Sequence, residues 1–289
     1  MSFPQRLAEV QDRVAARLDG ALAGMGGEPV VQAMRYAVAG GKRLRAFLVM
    51  EGGALHGVPD RESVTAAAAI EAMHAYSLVH DDLPCMDDDA LRRGQPTVHV
   101  KWGEATAVLA GDALQAMAFD LLTEASVGPH GVRLALVAGM ARAAGATGMV
   151  LGQALDIAAE TSPVPLTLPE IERLQAGKTG ALIGWAATAG AVMAGADPGP
   201  LHRYAKALGL AFQIADDILD VAGDEARTGK RVGKDEKAGK ATFVSLLGLD
   251  GARARAAALV EEAEAALAPY GASAGNLIAA ARFSISRDS

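Results

Sequence analysis

Apolar residues recur at helical spacing along most of the chain. Between residues 5 and 24, Leu7, Val10, Val14 and Leu18 fall on one stripe, which is typical of an amphipathic helix. Clusters of glycine and proline separate this segment from later ones with the same spacing. The pattern predicts further helices over residues 30–38, 46–56, 105–125, 132–159, 201–219, 241–249 and 251–268, one from Asp60 or Ser63 to the acidic run at residue 81, and one that begins at Thr167 or Pro169.

The segments between these helices show no strand pattern. No stretch alternates between apolar and polar residues for more than a few positions, and no β-hairpin signal is present. A polar loop is predicted over residues 90–97, a Gly- and Lys-rich loop over 223–239, and a short tail after the last helix. Alanine, which favours helix, is abundant, and neither a linker nor a repeat interrupts the chain. The sequence therefore predicts one all-α domain over residues 1–289.

One window tests whether the chain crosses a membrane. Residues 179–196 carry no charged side chain, and 18 positions are close to the lower limit for a bilayer span. The window is rich in alanine and glycine, and no pattern of positively charged loops accompanies it. We expect a helix buried on all sides in a helical protein, and no membrane span.

Composition excludes several other classes. Apolar residues make up 51% and charged residues 21% of the chain, which is typical of a globular protein. The net charge is −7 and there is no basic tract, so no nucleic-acid partner is expected. A single cysteine, Cys85, allows no intrachain disulfide, and the first residues lack an apolar signal core. These features predict a cytoplasmic protein.

An acidic run interrupts the apolar pattern at the end of the fourth predicted helix. Five carboxylates lie between Asp81 and Asp89, at the helix end whose dipole is already negative. Pro84 disfavours helix, so the chain can turn and bring Asp87 back towards Asp81. A solvated acidic loop is the simpler interpretation of such a run, but a bound divalent cation would offset the repulsion.

A second acidic cluster lies far along the chain. Asp216 and Asp220 are four residues apart, so both lie on one face of the predicted helix, and Asp217 is adjacent. Apolar residues surround them, and burying an unpaired charge is costly. Oxygen ligands without a nearby pair of Cys or His residues favour Mg²⁺ over Zn²⁺.

Cationic side chains accompany both acidic clusters. Each alone is more simply explained as a solvated surface charge, but together they provide the groups that bind phosphate. No Walker loop or dinucleotide fingerprint is present, because both need a preceding strand. A ligand with a diphosphate head and a hydrocarbon tail fits these groups better than a nucleotide. The cations are Lys42, Arg43, Arg45, Arg92, Arg93, Lys178, Lys230, Lys234, Lys237 and Lys240.

These motifs, in this order, resemble the trans-isoprenyl diphosphate synthase family. The first aspartate-rich motif of the family is similar to Asp81-Asp82-x4-Asp87 followed by Arg92-Arg93-Gly94, and the second is similar to Phe212-Gln213-x2-Asp216-Asp217-x2-Asp220. The segment 40–45, His74, Lys178-Thr179 and the late Gly-Lys loop match as well. The four-residue gap in the first motif is similar to that of the bacterial short-chain group.

The resemblance implies a fold and a reaction. The fold would be a single large orthogonal helical bundle of the isoprenoid synthase type, with a central cavity between the helices that carry the two motifs. The reaction would be Mg²⁺-dependent, head-to-tail condensation of isopentenyl diphosphate with dimethylallyl or geranyl diphosphate through an allylic carbocation. About three Mg²⁺ ions would bind in each active site, with Mn²⁺ as a possible substitute, and the enzyme would be a homodimer.

The resemblance also assigns roles to individual residues. Asp81 and Asp87 would bind two of the metal ions and Asp216 the third. Lys178, Thr179 and Gln213 would stabilise the carbocation. The groups that contact the allylic diphosphate or its metal shell would be Arg92, Lys178, Gln213, Lys230 and Lys240, and those that hold isopentenyl diphosphate would be Lys42, Arg45, His74 and Arg93.

The helix before Asp81 predicts the length of the product. Ser77 lies one turn below Asp81, and Tyr76 is the next position down, where its ring can form the floor of the cavity. This favours farnesyl diphosphate, a C15 product, over geranylgeranyl diphosphate, a C20 product, which remains an alternative. A class I terpene cyclase is disfavoured because the second motif is Asp-Asp-x2-Asp. A noncatalytic helical partner subunit is disfavoured because both acidic motifs are intact.

Overall fold

The computed structural model describes residues 2–222 and 241–286, and almost all of its regular structure is helical. The helices are α1 (Phe3–Leu22), α2 (Pro29–Val38), α3 (Leu44–Leu55), α4 (Asp60–Asp81), α5 (Val98–Trp102), α6 (Glu104–Thr123), α7 (His130–Ala144), α8 (Met149–Glu160), α9 (Leu168–Gln175), α10 (Ala181–Ala194), α11 (Gly199–Ala222), α12 (Phe243–Ala266) and α13 (Gly275–Ser286). The all-α prediction is confirmed for these residues.

The long helix predicted over residues 132–159 is two helices, α7 and α8. Four residues, 145–148, form a turn between them, in which Gly148 donates its N–H to the carbonyl of Gly145 (N···O 3.0 Å). A Cβ atom on Gly148 would lie 2.1 Å from the carbonyl oxygen of Ala143. The turn therefore requires glycine at this position, which the apolar spacing alone does not reveal.

A short β-hairpin occupies the predicted polar loop over residues 90–97, so the prediction of no hairpin is wrong. Strand β1 (Leu91–Arg92) pairs antiparallel with β2 (Gln95–Pro96). The two turn residues, Arg93 and Gly94, have φ values of 54° and 71°. Positive φ at both central positions is typical of the type I′ turn that joins two tightly paired strands.

The C-terminal part of the described chain is more helical than predicted. The two helices predicted from residue 241 are one helix, α12, that bends at Gly248, whose φ is 71°. The segment beyond residue 268, predicted to be a tail, forms a 3₁₀ helix (Ala268–Ala274) and then α13. Leu277, Ala280 and Ala281 are buried on one face of α13. The apolar spacing of this segment therefore does indicate a helix, and the predicted tail is wrong.

The uncharged window over residues 179–196 contains α10, which has 14 residues and is too short to cross a bilayer. Two other stretches of the described chain are long and apolar enough to cross a membrane, by length and composition alone. They are α6, with 44% of its apolar window buried, and the stretch His130–Glu160, with 28% buried. The helix that the sequence singled out is therefore a core helix, and the apolar faces that stay uncovered lie elsewhere.

Contacts between residues divide the chain into two units. The first is Met1–Gly139 with Thr188–Ala196, and the second is Met140–Ala187 with Asp197–Ser289. In the first unit, α4 packs against α1, α3 and α6, and its residues from Thr65 to Met73 are buried on every face. In the second, α11 packs against α12 and α13. The expectation of one domain over residues 1–289 stays a prediction.

A buried cluster of charges ties the N-terminal helix to the first unit. Arg6, only 9% exposed, donates through Nε to Glu51 (2.7 Å) and through Nη1 to Glu9 (3.0 Å). Its two Nη atoms also donate to both carboxylate oxygens of Asp60, at 2.7 and 2.8 Å. One guanidinium therefore links α1 to α3 and to the first turn of α4.

Candidate active site

The acidic run begins where α4 ends. Asp81 is the last helical residue, and the backbone N–H of Asp87 donates to the carbonyl of Asp81 (N···O 2.9 Å). The chain thus turns back after the helix, as the Pro84 break predicts. Asp88 takes a left-handed conformation with φ of 51° in the same loop. The turn therefore brings the backbone of Asp87 back to that of Asp81.

Asp82 faces the protein instead of the solvent. It is 3% exposed, and the guanidinium of Arg92 donates to it three times, from Nε at 2.8 and 2.9 Å and from Nη2 at 2.6 Å. Burial raises the pKa of Asp82, and the hydrogen bonds from Arg92 partly offset this effect. Arg92 is expected to contact the diphosphate, and it also pairs with a buried carboxylate in this structure. Asp82 thereby fixes the position of the Arg92 side chain.

The segment between α2 and α3 carries cations on a strained backbone. Arg43 has a φ of 54°, is 6% exposed, and donates to Glu71 on α4 (3.3 Å) and to the carbonyl of Val38. The other oxygen of Glu71 accepts from the N–H of Ala46 (3.0 Å), in the first turn of α3. A single buried carboxylate therefore caps α3 and holds this loop in place.

The hairpin turn packs against the same loop. A Cβ atom on Gly41, whose φ is 91°, would lie 2.9 Å from both terminal nitrogens of Arg93. Arg93 also donates to the carbonyl of Ala39 (3.4 Å). Glycine at position 41 suits the positive φ of the backbone there, and its lack of a side chain leaves room for the guanidinium. Lys42, another cation of this segment, is exposed, and its carbonyl accepts from Gln11 (3.1 Å).

His74 lies among the guanidinium groups that the sequence predicted to accompany it. Burial lowers the pKa of His74 well below its ordinary value, and the positive charges of Arg45, Arg93, Arg92 and Arg43 lower it further. The imidazole is therefore neutral at neutral pH, and the four guanidinium groups that act on it contribute a positive field. Such a field favours a polyanionic ligand.

The two residues predicted to set product length differ in their surroundings. The hydroxyl of Ser77 donates to the carbonyl of His74 in its own helix (2.8 Å). The ring of Tyr76 meets the imidazole of His80 edge to face, with centroids 5.0 Å apart. Burial raises the pKa of Tyr76, and the nearby carboxylates of Asp81 and Asp112 act in the same direction. Tyr76 is therefore a neutral phenol held by its neighbours.

In the second unit, Lys178 and Thr179 lie on a π-helical turn, Ala176–Gly180. The Nζ of Lys178 pairs with Asp156 on α8 (2.6 Å), and the hydroxyl of Thr179 donates to Gln213 on α11 (3.0 Å). A π-helical turn inserts an extra residue into a helix, and such turns often occur at functional sites. The turn places the predicted carbocation-stabilising groups Thr179 and Gln213 in direct contact.

The second acidic cluster lies on the continuous helix α11. Asp216 and Asp220 are one turn apart and partly exposed, as their spacing predicts. Asp217, 8% exposed, accepts a hydrogen bond from the N–H of Phe243 (2.8 Å), the first residue of α12. Asp217 therefore holds the start of the next helix. Lys230 and Lys240 lie outside the described residues, as do Lys234 and Lys237.

Among the described residues, no three His, Cys, Asp or Glu side chains form a ready-made metal cage. Mg²⁺ usually binds one or two carboxylates and takes its other ligands from water and substrate phosphates. The backbone of Asp87 returns to Asp81 in the first unit, and Asp216 is partly exposed in the second. Carboxylate oxygens are the kind of ligand that a divalent cation takes.

Sequence reasoning missed the acidic partners of the predicted cations. Glu71 and Asp156 are buried carboxylates on otherwise apolar helices, and Gly152 lies against the turn that carries Lys178. A Cβ atom on Gly152 would be 1.9 Å from the backbone nitrogen of Lys178. The available signal was an acidic residue within an apolar, Ala-rich stretch of a helix, which needs a cationic partner.

Comparison with known proteins gives one consistent result. The polyprenyl synthetase family model matches residues 28–268. Farnesyl diphosphate synthase of Escherichia coli (strain K12) is 48% identical over 277 residues, which cover 92% of each chain. Geranylgeranyl pyrophosphate synthase 9, chloroplastic, of Arabidopsis thaliana is 44% identical over 263 residues, which cover 88% of this chain and 73% of the relative.

A solved structure agrees with the sequence matches. The crystal structure of a FPP/GFPP synthase from Zymomonas mobilis has a TM-score of 0.89 and 45% sequence identity, and covers 98% of this chain and 99% of its own. The helices therefore form the all-α isoprenoid synthase fold. With the family model covering most of its length, the chain belongs to the polyprenyl synthetase family.

Proposed function

We propose that the protein condenses isopentenyl diphosphate with dimethylallyl diphosphate and then geranyl diphosphate, and so makes farnesyl diphosphate and releases diphosphate. The observation that carries this proposal is the pair of intact aspartate-rich motifs in a chain that is 48% identical to a farnesyl diphosphate synthase over nearly its whole length. The protein is a prenyltransferase. The C20 product is the second candidate, because a geranylgeranyl pyrophosphate synthase is 44% identical.

The first chemical task is to hold the allylic diphosphate. Farnesyl diphosphate synthases of this family are generally dependent on a divalent metal. We assign Asp81, Asp87 and Asp216 as the residues that hold about three Mg²⁺ ions, for which Mn²⁺ can substitute. When bound, the ions supply positive charge that stabilises the leaving diphosphate. The side chains proposed to bind the same diphosphate are Arg92, Lys178, Gln213, Lys230 and Lys240.

The second task is to stabilise the allylic carbocation that forms when the C–O bond breaks. We assign this role to the oxygen atoms of the Lys178-Thr179 turn and of Gln213. The hydrogen bond between Thr179 and Gln213 orients the two side-chain dipoles before reaction, so no reorganisation is needed. Asp156 holds the ammonium group of Lys178 in place (2.6 Å).

The third task is to place isopentenyl diphosphate. We assign Lys42, Arg45, His74 and Arg93 to its diphosphate. Neutral His74 can donate one hydrogen bond without adding charge, while the arginines provide the positive field. Coupling then depends on positioning the double bond next to the carbocation, and no protein nucleophile is required. The proton lost from the coupled product passes to the released diphosphate.

A product assay tests this function. Incubation with Mg²⁺, labelled isopentenyl diphosphate and geranyl diphosphate is expected to give farnesyl diphosphate as the main product. Chromatography after dephosphorylation measures the chain length. A main product of C20 would favour the second candidate. If no allylic primer gives a Mg²⁺-dependent product, the proposed function is wrong.

Product length gives a sharper prediction at Tyr76. We propose that its ring is the floor of the cavity, with Ser77 above it. Tyr76→Ala is expected to shift the products from C15 to C20 or longer, because removing the ring opens space of several carbon atoms. Tyr76→Phe is the matched control and is expected to keep C15, since it preserves the ring. Unchanged products from Tyr76→Ala would show that Tyr76 is not the floor.

The uncovered apolar faces support a homodimer. Leu109 on α6 is 57% exposed and Leu134 on α7 is 70% exposed. Both lie in the two stretches that are long and apolar enough, by length and composition alone, to cross a membrane. We propose that this surface packs against a second copy of the chain.

We also propose that the protein acts in the cytoplasm. Its residues 1–289 would form one domain.

A further inference from the structure

The ring of Tyr76 is held from the side by a second residue of α4. His80 lies one turn after Tyr76, and the two rings meet at an interplanar angle of 78°. An edge-to-face contact of this kind restricts both rings. The side chain of Gln115 on α6 lies near the phenol hydroxyl and lowers the pKa of Tyr76, against the larger effect of burial. The orientation of the Tyr76 ring therefore depends on His80 and on α6.

The position of His80 depends in turn on α6. Its Nε2 lies 3.0 Å from the carbonyl oxygen of Val108. A carbonyl can only accept, so Nε2 carries the proton and donates. One turn further along α6, Gly111 is buried beneath the ring, and a Cβ atom there would lie 2.1 Å from Nε2 and 2.3 Å from Cδ2. Only glycine lets the imidazole occupy this place.

We propose that Gly111 and His80 are positioning residues that set product length by holding the ring of Tyr76 in place. The inference rests on the proposed function, in which Tyr76 is the floor of the cavity. Gly111 leaves room for the imidazole, and the imidazole supports the phenol ring through their edge-to-face contact. Neither Gly111 nor His80 needs to touch the growing chain.

Two single substitutions test this chain of contacts. Gly111→Ala forces the imidazole out of its place, and His80→Ala removes it. In both variants Tyr76 loses its edge-to-face neighbour and gains freedom to swing aside. The C20:C15 product ratio is expected to rise about two- to tenfold, the range that such an aromatic contact represents. The ratio is measured from one reaction, so a lower overall rate does not change it.

A double-mutant cycle separates this mechanism from general damage. In the His80→Ala background, Gly111→Ala is expected to add little, because the group it displaces is already absent. In the Tyr76→Ala background, neither substitution is expected to change the product ratio, because the floor itself is missing. Gly131→Ala on α7 is the matched glycine control, since its added Cβ atom meets nothing within 4 Å.

The outcomes distinguish a failure of the proposed roles of Gly111 and His80 from a failure of Tyr76 as the cavity floor. If Tyr76→Ala lengthens the products while Gly111→Ala and His80→Ala leave the ratio within twofold of wild type, the floor stands and the present inference is wrong. If the effects of Gly111→Ala and His80→Ala multiply in the double variant, the two residues act separately and the inference is also wrong. If Tyr76→Ala itself changes nothing, the assignment of the floor fails first. Should Gly111→Ala not fold, His80→Ala alone tests the support.

Discussion

Asp81→Asn is expected to lower kcat/KM about 10³-fold while leaving the fold intact. The substitution keeps the shape of the side chain and removes the negative charge that a divalent cation requires. A bound cation contributes several kcal/mol of charge stabilisation in the transition state, and about 4 kcal/mol corresponds to a factor of 10³ in rate. Steady-state kinetics over a range of Mg²⁺ concentrations measure the loss, and high Mg²⁺ is expected to restore only part of the activity.

The same loop provides the matched control. Asp88 is an exposed aspartate whose φ is 51°, a conformation that asparagine tolerates well. Asp88→Asn therefore makes the same chemical change within the acidic run, without the proposed metal contact, and is expected to keep activity within about threefold of wild type. Asp81→Asn with an activity that close to wild type at every Mg²⁺ concentration would remove Asp81 from the metal site.

Arg6→Met is expected to lower the free energy of unfolding by about 3–5 kcal/mol. The substitution takes away the guanidinium that pairs with Glu51, which is 7% exposed, and with Asp60. Breaking a buried ion pair from one side is costly because the remaining carboxylate stays desolvated. Urea-induced unfolding followed by circular dichroism measures the change. A loss below about 1 kcal/mol would contradict this account of the N-terminal cluster.

Two further variants define what is lost. Arg61→Met removes a guanidinium from a surface pair with Glu62, in which the arginine side chain is 79% exposed, and is expected to cost less than about 1 kcal/mol. Adding Glu51→Met to Arg6→Met removes the buried carboxylate as well and is expected to recover part of the stability.

The same cluster predicts a dependence on pH. Hydrogen bonds from Arg6 lower the pKa of Asp60 below its ordinary value of 3.8, although burial acts in the opposite direction. The stability that the lowered pKa represents is present above the unfolded-state pKa and is lost as the pH falls through the lower folded-state pKa. Arg6→Met is therefore expected to lose less stability than wild type as the pH falls below 3.8.

The sequence predicts the helices well because each has an apolar face. The errors occur where one or two residues decide the structure. The hairpin at Arg93-Gly94 has strands of two residues each, too short for any alternation to appear. The break between α7 and α8 depends on a close approach at Gly148 that only the folded chain reveals.

In the candidate site, too, local geometry could be predicted from the sequence, whereas contacts that depend on helix packing could not. Local geometry was predictable: Pro84 indicated that Asp87 returns to Asp81, and the i, i+4 spacing placed Asp216 and Asp220 on one face. The acidic partners of the cations were not. Arg92, Lys178 and Arg43 pair with carboxylates that are 10, 22 and 28 positions away, and such pairs depend on how helices pack and not on spacing along the chain.

Three residues other than glycine have positive φ in the part of the chain that the structure describes: Arg43, Asp88 and Arg93. All three lie in the loops that carry the proposed phosphate- and metal-binding groups. A left-handed conformation at such residues costs about 1–3 kcal/mol and persists only where the surroundings enforce it. Glycine at these positions would relieve that strain but would loosen the charged loops. Efforts to make this enzyme more heat-resistant therefore meet their conflict with activity first at these three positions.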